Sequence, residues 1–197
     1  MPDVLSESTF QAVAQPALHR VFIREDPYAE PFAPVIQHRR LLFEYMYEME
    51  TPLLDAVIRA AKSQGEHGFY VSIYDRPPEA EQQQPYHWYI SFAEIGSYHL
   101  LVGPLTNFVY SPHGSWGIMA TYEHFGLLGG NEAIITSIAH DIPDLDSQVF
   151  EFLRYWEWNA QNYSSVVNWV PGVLRHIYGR ERANKLLQNW DPNPSIK

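Results

Sequence analysis

The chain has no cysteine. That absence excludes disulfides, thiolate nucleophiles and thiolate metal sites, and it points to a reducing compartment, the cytoplasm, as its setting. Long apolar runs are missing too, so no segment reads as a membrane span. The opening MPDVLSESTF lacks the basic and apolar regions of a secretory leader. Cations are scarce where nucleic acid would need them. Residues 67–150 hold nine acids and one base, Arg76, for a charge of −8, against −4 over residues 1–66 and +2 over residues 151–197. Phosphate recognition requires the opposite distribution, which argues against DNA or RNA as a partner.

Apolar and aromatic surface is abundant. Hydrophobic residues make up 46% of the 197, enough for a core, and aromatics make up 15%, with 13 Tyr and 6 Trp. The length fits one domain over residues 1–197. Pro2, Pro16, Pro27, Pro31 and Pro34 punctuate residues 1–36, which read as an irregular N-terminal arm with enough apolar side chains to dock. From Gln37 the period is helical, because Leu42, Tyr45, Met46 and Met49 recur at three- and four-residue spacing. Thr51-Pro52 opens a second helical stretch through Leu54, Val57, Ile58 and Ala61 to a stop at Gly65.

At Gly68 the period becomes two: Phe69, Val71 and Ile73 alternate with Tyr70, Ser72 and Tyr74. Further strands are expected at 86–92, 98–102 and 108–110, with a hairpin or bent strand over 116–128. Strands in succession, without intervening helices, imply an antiparallel meander rather than a doubly wound nucleotide-binding sheet. Helices return over 132–139 behind Asn131. A strongly amphipathic helix follows Asp146-Ser147, with Val149, Phe152, Leu153, Trp156 and Ala160 on one face. Helical sequence resumes near Ser165, with interruptions expected at Pro171-Gly172 and Gly179. The expected fold is α+β, a central antiparallel sheet of four to five strands (about 69–128) flanked by N-terminal and C-terminal helices at 37–64 and 146–188.

Motifs for chemistry are lacking. Six of the nine histidines fall in the cation-poor region, and His87, Tyr89, His99 and His124 form a candidate pocket on the sheet, but no metal-ligand spacing accompanies them. Ser97, Ser111 and Ser115 sit in turns without a nucleophile elbow. Residues 126–132 run from strand to helix without the Lys and Ser/Thr of a phosphate loop, and Gly129-Gly130 reads as a tight turn with positive φ. The sequence therefore assigns no catalytic residue, no metal and no cofactor. The acids Glu79, Glu81, Glu94, Asp141, Asp144 and Asp146 define a candidate acidic binding surface. The leading expectation is a non-enzymatic acidic protein-binding domain that neutralises a cationic protein partner, as an immunity protein facing a basic toxin does, a likeness of composition alone. The alternative is a small-molecule-binding enzyme or sensor with a Tyr/His-lined pocket. A third reading is a homodimer through an aromatic sheet face.

Overall fold

The alternation that starts at Gly68 builds the middle of a sheet with both faces covered. The computed structural model describes residues 1–74, 86–102 and 106–192. In chain order these form β1 (Asp3–Val4), α1 (Glu7–Thr9), a π-helical turn (Phe10–Ala14), α2 (Gln15–Val21), β2 (His38–Phe43), α3 (Thr51–Ser63), β3 (Gly68–Ile73) and β4 (His87–Ser91). A 3-10 helix (Ile95–Leu100), β5 (Asn107–Tyr110), β6 (Trp116–Ala120), β7 (Phe125–Gly130), α4 (Glu132–Asp141), α5 (Gln148–Tyr163) and α6 (Val170–Leu187) follow. The strands form one sheet in the order β1-β4-β3-β5-β6-β7-β2, and every neighbouring pair is antiparallel. The architecture is α+β as expected, with a central sheet of seven strands rather than four to five.

Two apolar layers sandwich the sheet. On one face Tyr70, Phe108, Tyr110, Met119, Phe125 and Leu127 meet Phe10, Leu18, Val21, Phe22 and Phe32 of the N-terminal segment and Phe152, Val173 and Leu174 of α5 and α6. On the other, Phe69, Val71, Val109, Ile118 and Leu128 meet Val57 and Ala61 of α3, Ile134 and Ile138 of α4, and Tyr98. The strand tyrosines Tyr70 and Tyr110 are thus buried rather than displayed, which removes the aromatic sheet face as an outer surface. The outer edge of β2 is covered as well. The Phe43 N–H donates to Gln148 Oε1 at 2.9 Å and the Leu41 N–H to the Tyr178 hydroxyl at 3.4 Å, so α5 and α6 satisfy donors that would otherwise template aggregation.

Several local expectations are corrected. The stretch 37–50 is not a helix: it is β2 followed by a loop. Leu42, Tyr45 and Met49 do share one core, but the backbone pairs with β7, because tertiary pairing outweighs local period. Residues 98–102 are not a strand, since Ile95–Leu100 forms a 3-10 helix that turns Tyr98 into the core. The N-terminal arm is not irregular between Glu7 and Val21, where Ala14, Ala17, Leu18 and Val21 make a buried helical stripe and Pro16 sits in the first turn of α2. Pro171 starts α6 rather than interrupting it, while Gly179, at φ 76°, does break the helix. Gly129 and Gly130 lie within β7 at ordinary strand φ, not in a turn. Among the described residues, no helix is long and apolar enough to cross a membrane.

Candidate functional site

The four residues of the sequence-derived pocket are not gathered. His87, on β4, is buried under the Phe10 ring, with centroids 3.5 Å apart and planes 7° from parallel. Its Nδ1 lies 2.9 Å from the Ser72 hydroxyl, which shares a hydrogen bond with the Tyr110 hydroxyl at 3.0 Å. All three side chains are closed off from solvent, so the cluster satisfies polar groups within the core. Tyr89, two residues on, packs edge-on against Tyr70 at 5.5 Å. His99 lies in the 3-10 helix, where its Nδ1 is 2.8 Å from Glu48 Oε2. His124 occupies the β6–β7 turn at φ 59°, with β3 and β5 lying between β4 and β6. Among the described residues, no group of three His or carboxylate side chains could hold a metal ion.

The turn serines are also committed. Ser111 Oγ donates to Glu66 Oε1 at 2.5 Å, Ser115 Oγ to the same oxygen at 3.2 Å, and the Trp116 indole N–H to Glu66 Oε2 at 3.0 Å. His113 contributes only its backbone N–H to Ser111. Glu66 is 3% exposed, so this network pins the turn after β5 to the end of α3 and offers no path to a substrate.

The acidic candidates separate into spent and unspent charges. Glu79 and Glu81 lie outside the described residues. Glu94 accepts from the Ser91 hydroxyl and from the N-terminal ammonium, and these bonds hold its carboxyl below the usual range. Asp141 pairs with Arg59 at 2.8 Å, and Asp146 pairs with Arg40 at 2.5 Å and Arg182 at 3.8 Å. Asp144 makes no ion pair among the described residues. It faces a cleft that sequence reasoning did not assemble.

That cleft, about 450 Å³ in volume, opens between the loop after β2, the N-terminus of α3 and the α4–α5 connection. Glu44, Glu48, Glu50 and Asp144 line it together with Leu42, Phe43, Tyr45, Leu53 and Ile142, and among the described residues no Lys or Arg does. Buried polar groups fix the wall that carries three of these carboxylates. Asn107 Nδ2 donates to the Tyr47 carbonyl at 2.6 Å, the Met49 N–H to the Tyr98 hydroxyl at 3.0 Å, and the Tyr45 N–H to the His124 carbonyl at 3.0 Å. These bonds fix the backbone of the loop, with Tyr47 at φ 68°, before any ligand arrives. Burial pushes the Tyr98 phenol up to about 12 and the Tyr45 phenol well above its ordinary value, so both remain neutral behind the cleft. Such a half-apolar, anionic recess suits an amine or guanidinium on an aliphatic stem. Its signal in the sequence was the run Glu44, Glu48, Glu50, hidden by the helical reading of 37–50. No family model, no curated protein and no solved structure matches the chain.

Proposed function

We propose that the protein is a non-enzymatic binding domain whose acidic cleft receives a Lys- or Arg-bearing segment of a cationic protein partner. One observation carries the reading: Glu44, Glu48, Glu50 and Asp144 line one recess together with Leu42, Leu53 and Ile142, and among the described residues no Lys or Arg lines it. Opposite fields steer such an encounter, and the net charge of −10 extends that attraction beyond the cleft. A reducing, cytoplasmic setting agrees with a cysteine-free chain. The test is an NMR titration of isotope-labelled protein with a short Lys/Arg-rich peptide. Amide shifts should concentrate at residues 44–50 and 142–148 and fade as salt rises. Shifts scattered over the acidic surface, or none at all, reject the cleft as the binding site.

A further inference from the structure

The helix α5 carries a second surface, on the side away from the sheet. Phe150 is 54% exposed and Trp158 52%, and they lie on one ridge with Arg154 at i, i+4 and i+8. Beside Phe150 a groove of about 490 Å³ runs between α5 and the end of α6, floored by Leu153, Leu186 and Trp190 and rimmed by Arg182 and Lys185. Its far wall is fixed: the Trp190 indole donates to the Leu153 carbonyl at 3.1 Å and the Asp191 N–H to Glu157 at 3.0 Å. A lone exposed aromatic needs no explanation, whereas two on one ridge beside an open apolar groove mark a contact surface.

We propose that this face pairs with the same face of a second copy of the chain, the two α5 helices running antiparallel about a two-fold axis at Arg154. In an isologous contact, a residue four positions before the axis meets the one four positions after it. Phe150 and Trp158 stand at those positions, so each Trp158 enters the other chain's groove beside Phe150, a knob and a hole supplied by one surface. The i, i+4 ridges cross in the packing common to globular helices. The charges agree with this register. Glu157, next to the inserted Trp158, reaches the Arg182 and Lys185 rim of the other chain. The two Arg154 guanidiniums, which meet at the axis, are flanked by the Glu151 carboxylates of both chains. The present partners of Arg154 and Lys185, Glu151 and Glu181, are exposed neighbours on their own helices and are exchanged at little cost, while Arg182 lies 3.8 Å from Asp146. Long-range repulsion selects the same face. A chain of charge −10 resists meeting itself, and residues 151–197, which carry +2, are where that resistance is least.

Sedimentation across the micromolar range tests the pairing. The wild-type chain should approach twice its 22.8 kDa mass. Phe150→Ala with Trp158→Ala should sediment at 22.8 kDa with an unchanged circular dichroism spectrum. Arg154→Glu should weaken the dimer about tenfold, and adding Glu151→Arg should recover most of that loss. A wild-type chain that stays monomeric, or a dimer indifferent to the double alanine, overturns the proposal. A charge swap no tighter than Arg154→Glu alone overturns the register.

Discussion

Gly117 lies directly opposite Gly129 across β6 and β7, and the Phe22 and Phe32 rings occupy the space where their side chains would stand. A Cβ on Gly117 would meet the Phe22 ring at 2.6 Å, and one on Gly129 the Phe32 ring at 2.5 Å. The stacked pair, 5.1 Å between centroids, thus docks the chain after α2 onto bare backbone. Gly129→Ala should cost about 1–3 kcal/mol through overpacking, read as a lower urea midpoint at constant slope. An unchanged midpoint would show that residues 22–36 do not press on the sheet.

Trp156 is 7% exposed and sits edge-on to both Tyr155 and Trp169. Trp156→Ala should cost about 3–5 kcal/mol, as expected for deleting a large buried aromatic. Its indole N–H has no hydrogen-bond partner among the described residues, so Trp156→Phe keeps the ring packing and strands no acceptor. That variant keeps one ring in the site and should lose clearly less than Trp156→Ala does. Equal losses in the two denaturant melts would mean that the N–H, not the packing, holds α5.

His176 supplies a pH dependence. Its Nε2 accepts the Phe32 N–H at 3.2 Å, and its carbonyl accepts from Arg39 at 2.7 Å. Burial, then the neighbouring guanidinium, lowers its pKa from 6.5 to about 4. A depressed histidine binds protons more readily in the unfolded chain. Its contribution is therefore complete above about pH 6.5, declines as the pH falls, and is gone near pH 4. The site is only half-buried, so after screening the loss is about 1–2 kcal/mol. His176→Gln should flatten the stability profile between those limits, and an unchanged slope would place the titration elsewhere.

The sequence made the core of this fold legible and concealed its edges. Alternation from Phe69 to Ile73 identified β3 because its two faces carry different side chains, Phe69, Val71 and Ile73 toward one layer and Tyr70 toward the other. The stripe Val149–Phe152–Leu153–Trp156 identified α5 because it faces a single layer. β2 was hidden because an edge strand packed on both faces carries Leu41 and Leu42 in succession, which has no period of two. The helical segment of the N-terminal arm was hidden by its prolines, although Pro16 occupies a position where a missing N–H is tolerated. Of the candidate site, only Asp144 was anticipated. Glu44, Glu48 and Glu50 come together with it through a loop held by Asn107 and Tyr98, distant residues whose role no local pattern records.

The sharpest expectation separates the cleft from the charge of the whole molecule. Glu48→Gln with Asp144→Asn and Asp141→Asn with Asp146→Asn change the net charge by the same amount. The first pair takes two of the four carboxylates from the cleft, of which Glu48 also bonds His99. The second removes acids outside its centre that are ion-paired to Arg59, Arg40 and Arg182. At physiological ionic strength the screening length is about 8 Å, so a bound cation responds only to carboxylates in its immediate surroundings. The cleft variant should then weaken a Lys/Arg-rich peptide about tenfold, and the ion-pair variant by no more than about twofold. In dilute buffer, where screening extends to about 30 Å, both variants should slow association to a similar degree, because the encounter is steered by total charge. Two binding isotherms at each salt concentration decide the matter. If the variants weaken binding equally at physiological salt, the acidity of the chain acts as a diffuse field and the cleft does not bind the partner.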